Sequence, residues 1–301
     1  MSEGYRTRFA PTPSGYLHMG NLFNFVLTRL LADDYNARIF LRIDDMDQPR
    51  YRKRYARHIF KTLEYFGLEW EEGPRNLKDF EANFQQHSRL KLYQQHLATL
   101  WEKELLYSCQ CSRKQVARRS ADGSYPGTCR DLELPRHGRN IKWRWSTPET
   151  ISSLKKYQGE VNNIPFPRSL KDVTLRKKDG YPAYQLTSVV DDAYYGINLI
   201  VRGMDLYDSS LAQVALAHQL DLKVQHSKVV HHPLIEDEQG RKLSKSDGRE
   251  SLFQFVEKGK PVAGIFEQFS KMLGLPPSKT LYQLRTNWSE ATNETKGKIL
   301  Q

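Results

Sequence analysis

Arg8-Phe-Ala-Pro-Thr-Pro-Ser-Gly15, followed after two residues by His18-Met19-Gly20-Asn21, is the stretch on which the reading of this chain turns. Upstream, Tyr5-Arg6-Thr7-Arg8-Phe9 reads as a short strand. Ala10-Pro-Thr-Pro-Ser-Gly15 is a breaker-rich loop in which two prolines fix φ and Gly15 is free to take a positive φ. Beyond Gly20, Leu22, Phe23, Val26, Leu27 and Leu30 recur at helical spacing. His18, Gly20 and Asn21 therefore fall at a strand-to-helix turn, where unpaired backbone N–H groups and the helix dipole favour a phosphate.

More than two hundred residues later comes Gly240-Arg-Lys-Leu-Ser-Lys-Ser-Asp-Gly248, a polar, lysine-bearing loop after His231-His-Pro-Leu-Ile235, which reads as a strand end. Lys242 and Lys245 offer cations that suit a polyphosphate, with Ser244 and Ser246 helping to order the loop. The two segments together resemble the paired ATP signatures of a class I aminoacyl-tRNA synthetase.

The patterning between them predicts an open α/β sheet. Arg38–Ile43, Ile197–Val201 and Lys228–His231 read as strands, and Tyr51–Phe66, Leu211–Leu220 and much of Glu81–Leu106 as helices. In such sheets ligands bind at the carboxyl ends of the strands, where His18, Asp44 and Arg202 should gather. The final stretch, 278–301, is polar and is expected to fray.

The chain has 301 residues, 39% of them hydrophobic, enough for a catalytic domain with a buried core. No opening stretch reads as a signal peptide and no apolar run is long enough to span a bilayer, so a cytoplasmic enzyme is expected; a monomer is expected as well. The formal charge is +11, and sixteen Lys or Arg against six Asp or Glu lie between residues 113 and 178. That tract also carries Trp143, Trp145, Tyr157 and Phe166, and a basic run interleaved with aromatics suits a nucleic-acid backbone. The three cysteines, Cys109, Cys111 and Cys129, are too few and too clustered for a disulfide framework. Their spacing suits Zn²⁺, whose tetrahedral site wants a fourth ligand; Tyr125, His137 and water are the candidates, and imidazole is the commoner donor.

A more specific resemblance rests on Arg8–Gly15, Leu41-Arg-Ile-Asp-Asp-Met-Asp47, Asp179-Gly-Tyr-Pro-Ala-Tyr-Gln-Leu186, Val190-Asp-Asp192 and Val201-Arg-Gly-Met-Asp205. In this order they resemble the catalytic domain of glutamyl-tRNA synthetases, most of all the shortened glutamyl-queuosine tRNA(Asp) synthetase family. The likeness implies a Rossmann-like parallel sheet with an inserted zinc-bearing, acceptor-type subdomain. It divides the chain into a first half of the catalytic domain (1–106), the basic insertion (107–178), a second half with the Lys-Leu-Ser-Lys-Ser loop (179–250) and a helical extension (251–301). No separate anticodon-binding domain is expected, since about fifty-five residues follow Ser246.

The resemblance also implies roles. Arg8 would pair with the substrate side-chain carboxylate, and Tyr184 and Arg202 would complete a glutamate pocket walled by Phe9, Ala10, Pro11 and Thr12. Asp44 stands where the family carries a glutamate that holds the substrate ammonium, one methylene shorter. His18, Gly20, Asn21, Lys242, Ser244 and Lys245 would bind Mg-ATP, with His18, Asn21, Lys242 and Lys245 stabilising the transition state. Asp131 stands where many full-length relatives have a histidine, which favours Tyr125 as fourth zinc ligand beside Cys109, Cys111 and Cys129. The implied reaction is activation of L-glutamate as its adenylate and transfer to the cyclopentenediol of queuosine in tRNA(Asp). A truncated enzyme charging tRNA(Glu) and a non-catalytic RNA-binding paralogue are the alternatives.

Overall fold

The computed structural model describes residues 4–235 and 251–300. It opens with a βαβ unit: β1 (Arg6–Phe9), α1 (Met19–Asp34) and β2 (Arg38–Leu41), the strands parallel in the register Arg6↔Arg38 to Phe9↔Leu41. From Phe25 to Ala32 every residue of α1 is buried, as expected of a helix packed on more than one side. Asn36, at φ 47°, makes the left-handed turn back into β2, a conformation asparagine tolerates better than most residues.

After α2 (Lys53–Tyr65) and the single turn α3 (Leu77–Asp79) comes α4 (Leu90–Glu102). The helix predicted over 81–106 is thus shorter. Its first part is a wide turn at Phe80–Phe84 and a tight one at Gln86–Arg89, separated at Gln85, which is extended (ψ 140°). Tertiary hydrogen bonds explain the break. The Gln86 backbone N–H donates to Asp45 Oδ1 (2.8 Å), and the Gln86 side chain accepts from Met46 N (2.7 Å) and donates to Asp191 Oδ2 (2.9 Å).

Next follow β3 (Leu106–Cys109), α5 (Arg113–Arg119), β4 (Lys142–Trp145), the hairpin β5 (Thr150–Lys155) and β6 (Glu160–Pro165), and β7 (Thr174–Arg176). Strands β3, β4 and β7 form a small antiparallel sheet. The hairpin leaves that sheet, and β5 pairs in parallel with a strand of the second half, Lys155 opposite Lys228.

That second half is α6 (Tyr184–Tyr194), β8 (Leu199–Gly203), α7 (Tyr207–Gln219) and β9 (Lys228–His232), with β8 and β9 parallel and the strand order β6-β5-β9-β8. The two halves meet where Asn198 N donates to Arg6 O (3.0 Å) and Arg6 N donates to Asn198 Oδ1 (2.8 Å). Alternate strand residues face two separate cores. Ile39, Leu41, Leu199, Val201 and Val230 pack with α1 on one side, and Phe40, Ile200 and Val229 pack with α6 and α7 on the other. A sheet covered on both faces is the doubly wound arrangement, and it points the ends of β1, β2, β8 and β9 at one crevice.

The chain closes with α8 (Leu252–Glu257), α9 (Ala263–Met272), α10 (Leu281–Glu290) and α11 (Asn293–Ile299). The expected fraying of 278–301 is not what the structure shows. Leu284, Trp288 and Leu300 are buried in the core that contains α1. Trp288 Nε1 donates to Asp34 Oδ2 (2.8 Å), Lys296 Nζ lies 2.9 Å from Asp34 Oδ1, and Arg285 Nε lies 2.6 Å from Asp33 Oδ2.

Candidate active site

At the carboxyl ends of these strands lies a cavity of about 430 Å³. Of the residues read from the sequence, Arg8, Ala10, Pro11, Thr12, His18, Gly20, Asn21, Asp44, Tyr184 and Arg202 all line it. Phe9 does not. As the last residue of β1 it points away from the crevice, is fully buried and packs on Phe25, ring centroids 5.1 Å apart. Lys242, Ser244 and Lys245 lie outside the described residues.

The floor is an arginine cluster that sequence reading saw only in part. Asp192 Oδ1 accepts from Arg8 Nε (3.0 Å) and Arg42 Nη1 (2.7 Å), while Arg202 Nη2 lies 3.9 Å from Asp192 Oδ2. Arg42 also grips Asp44 with two hydrogen bonds, of 2.7 and 3.1 Å. Ser188 Oγ accepts weakly from Arg42 and Arg202 (3.4 and 3.3 Å). All five charged side chains are buried. Arg42 and Asp192 stood inside recognised motifs, but nothing in the local pattern says that residues 150 positions apart meet.

The electrostatics follow from this geometry. Burial alone would raise the Asp192 carboxyl, but the guanidiniums of Arg42, Arg8 and Arg202 hold it below the usual carboxylate range. Burial opposes the charge of Arg42 as well, yet Asp192 and Asp44 outweigh it and keep that guanidinium well above its ordinary value. Arg8 is the least compensated: burial pushes it down to about 10, with Asp192 offsetting only part of the effect. Burial also pushes the Asp44 carboxyl up, against the pull of Arg42. Three guanidiniums face two carboxylates, so the floor carries one surplus positive charge and suits an anionic ligand.

On the opposite wall His18 ends the loop as the N-cap of α1, and its backbone N–H donates to the Asn21 side-chain oxygen (3.1 Å). A Cβ on Gly20 would sit 3.0 Å from the His18 ring, so the glycine lets that ring lie against the helix start. Asn24, which sequence reading missed, ties α1 to the second half by donating to Val201 O (3.2 Å) and meeting His232 Nε2 at 3.1 Å. At Gly203 a Cβ would approach Asp205 Oδ1 to 2.6 Å, so a larger residue at the end of β8 would displace that carboxylate. The arrangement offers a helix start and small residues to a phosphate, opposite a cationic floor for a carboxylate.

The cysteines converge as expected. The three thiol sulfurs lie within 4.8 Å of one another, and Cys111 Sγ and Cys129 Sγ are 3.5 Å apart. Tyr125 Oη is 3.5 Å from Cys109 Sγ and 4.0 Å from Cys111 Sγ, and it accepts from Cys129 N at 2.9 Å. Ligands about 2.3 Å from a tetrahedral Zn²⁺ stand about 3.8 Å from each other, so these residues fit a metal. Arg144 completes the setting, with Nε 3.3 Å from Cys109 Sγ and its guanidinium 3.5 Å above the Tyr125 ring. His137 lies elsewhere, exposed and edge-on to Trp143.

In the basic tract the structure separates two signals that the sequence had mixed. Trp143 and Trp145 are core residues, 5% and 0% exposed, and so are not platforms for stacked bases. The cations Arg113, Lys114, Arg118, Arg119, Arg136, Arg139, Lys171 and Lys178 remain exposed.

A family model described as the catalytic domain of class I tRNA synthetases (E and Q) matches residues 5–292, which fixes the class of protein that this fold and site define. Among curated relatives, the glutamyl-Q tRNA(Asp) synthetase of Prochlorococcus marinus strain MIT 9313 is 38% identical over 262 residues, 86% of this chain and 78% of the relative. Its namesake in Pseudomonas aeruginosa strain LESB58 is 38% identical over 247 residues, 82% of this chain and 79% of the relative. The crystal structure of glutamate-tRNA synthetase from Elizabethkingia anophelis superposes with a TM-score of 0.67 at 26% identity, covering 82% of this chain. The match spans about half, 53%, of that longer enzyme. The chain belongs to the class I glutamyl- and glutaminyl-type synthetase family, and within it to the glutamyl-Q tRNA(Asp) synthetases. Among the described residues no helix is long and apolar enough to cross a membrane.

Proposed function

We propose that this chain activates L-glutamate with Mg-ATP and transfers the glutamyl group to the cyclopentenediol of queuosine in the anticodon of tRNA(Asp). The observation that carries this reading is the surplus positive charge of the Arg8, Arg42 and Arg202 cluster in the cavity floor. The γ-carboxylate of glutamate neutralises that surplus and satisfies Arg8, whose guanidinium geometry suits a carboxylate and whose charge rejects the neutral amide of glutamine. Asp44 takes the substrate ammonium, Tyr184 closes the mouth, and Ala10, Pro11 and Thr12 form the wall.

With glutamate so held, an oxygen of its α-carboxylate attacks the α-phosphorus of ATP in line, and the bond to pyrophosphate breaks. His18, the helix start at Gly20 and Asn21, and the cations Lys242 and Lys245 with Ser244 stabilise the charge that builds on the phosphates. A hydroxyl of the modified base then attacks the adenylate carbonyl, AMP leaves, and the hydroxyl proton passes to solvent. Cys109, Cys111, Cys129 and Tyr125 would hold Zn²⁺, which would brace the inserted subdomain, whose exposed cations contact RNA phosphates.

Labelled glutamate, offered with ATP to queuosine-containing tRNA(Asp), to its unmodified counterpart and to tRNA(Glu), tests the reading. Base-labile label confined to the modified tRNA(Asp) is expected. Label on tRNA(Glu) that survives removal of the anticodon arm would make this a charging enzyme instead.

A further inference from the structure

The loop between β1 and α1 supplies one wall of the cavity, and residues 14–18 all line it. Upstream this loop is tied down: Asp44 N donates to Pro11 O (2.9 Å) and Arg52 N to Pro13 O (3.3 Å). Downstream, the His18 N–H donates to the Asn21 side chain (3.1 Å). Between these ties, among the described residues, no hydrogen bond holds residues 14–17. A stretch of this kind keeps one conformation only when side-chain packing offsets the entropy of ordering it. Leu17 is buried in the core around α1. Tyr16 enters an aromatic cluster instead.

The Tyr16 ring stacks on Phe253 of α8, with centroids 3.9 Å apart and planes 27° from parallel. Tyr55 and His58 of α2 meet it edge-on, at 4.8 and 5.1 Å. His58 also packs on Phe253 at 5.0 Å, and its Nδ1 is fixed 3.0 Å from Thr62 Oγ1. Helix α8 is itself fastened to α2: Leu252 and Val256 share a core with Ile59 and Leu63, and Lys61 Nζ lies 2.8 Å from Glu257 Oε1. Tyr55, His58 and Phe253 stay outside the cavity, so Phe253 can act on a ligand only through Tyr16. In the sequence, α8 follows directly on the segment that carries Lys242 and Lys245. One stack thus joins the loop that ends at His18 to the helix that follows the second ATP signature.

We propose that Tyr16 and Phe253 are positioning residues for ATP: their stack sets the place of residues 14–18, and with it His18 at the phosphate corner, and leaves the arginine floor for glutamate untouched. The inference rests on the ATP site of the function proposed above and is independent of the RNA acceptor. Without the stack the loop must be ordered when the nucleotide binds, and that cost is subtracted from affinity.

The test compares wild type, Tyr16→Leu, Tyr16→Phe, Phe253→Leu and the double leucine variant. It reads calorimetric binding of a magnesium-bound ATP analogue with a methylene between the α- and β-phosphorus, the KM for glutamate in ATP–pyrophosphate exchange, and thermal melts. Each single leucine variant should weaken analogue binding about five- to tenfold, and Tyr16→Phe less than about twofold, because the ring and not the hydroxyl makes the contact. The double variant should bind no more than about twofold worse than the weaker single one, since two partners of one contact do not add. The KM for glutamate should stay within about twofold of wild type in every variant. Analogue binding that is unchanged in Phe253→Leu overturns the proposal, as do losses that multiply in the double variant or a glutamate KM that rises as far as ATP affinity falls. Should Tyr16→Leu fail to fold, Phe253→Leu, altered outside the cavity, decides alone. An enzyme that binds the analogue in a stack-dependent way yet forms no glutamyl-adenylate would refute the proposed function while sustaining the positioning role. A folded wild type that does not bind the analogue would overturn both.

Discussion

Arg8 Nε and Asp192 Oδ1 lie 3.0 Å apart, with 4% and 2% of their side chains exposed. Asp192 follows Asp191 on α6, and consecutive helical residues point about 100° apart. Asp191 therefore turns to the other side, where it binds Arg89 (2.8 Å) and Tyr93 Oη (2.6 Å). One carboxylate organises the cavity floor and its neighbour organises the scaffold.

Replacing either aspartate by asparagine leaves buried guanidiniums uncompensated and should cost about 3–5 kcal/mol of stability. The two variants should part in kinetics: Asp192→Asn should alter the KM for glutamate strongly and Asp191→Asn only slightly. Urea unfolding and glutamate titrations of both proteins check this, and equal kinetic effects would refute the division of roles.

Arg8→Lys keeps the charge but loses the planar fork, and should lower kcat/KM for glutamate by about 10- to 100-fold, equivalent to about 1.5–3 kcal/mol. Arg8→Gln should lower it further. Steady-state kinetics with ATP saturating measures both, and a variant as active as wild type would place the carboxylate contact elsewhere.

His231, buried with Nε2 2.9 Å from Ser210 Oγ, has its pKa lowered to about 3, chiefly by burial. Unfolded, it titrates near pH 6.5, so on acidification the unfolded chain takes up the proton first. This residue's contribution to stability should be constant above about pH 7 and decline by up to about 1.4 kcal/mol per pH unit between about pH 6 and pH 4. His231→Gln should flatten that part of the profile, measured by denaturant unfolding at stepped pH.

On the proposed Zn²⁺ site, Cys109→Ser should lower metal content and the melting temperature of the purified protein, and chelation of wild type should do the same. Metal analysis beside thermal melts decides it. Carefully purified wild type holding no metal would count against the site.

Trp288→Ala should cost about 3–5 kcal/mol, because the indole is 1% exposed and anchors α10 to Asp34 of α1. Denaturant unfolding measures the loss, and a value below about 1 kcal/mol would mean that the final helices contribute little.

What was legible in the sequence was local. The strand, proline-bearing loop and helix around Arg8–Gly20 and the cysteine spacing each fit within a short window, and the structure brings their residues together. Phe9 falls outside the cavity because a strand alternates: its neighbour Arg8 lines the cavity and Phe9 faces the core. The meeting of Arg42 and Asp192 depends on two halves of the sheet joining, which no window contains. Gln85 breaks a helical pattern because distant carboxylates capture Gln86 and Arg89. The last two helices were hidden by polar composition, although Leu281, Leu284 and Trp288 keep helical spacing.

The hairpin that joins β5 to the parallel sheet leaves β6 as its outermost strand, largely exposed and with Val161 43% accessible. An uncovered strand of this kind invites a second chain to add to it. Asn163, at φ 52°, takes a left-handed conformation between the pairs Ile151↔Ile164 and Ser153↔Asn162, and Pro165 lacks an amide hydrogen. The border of the sheet is thereby irregular, and replacing Asn163 and Pro165 with residues that prefer extended backbone would offer neighbouring molecules a template for aggregation.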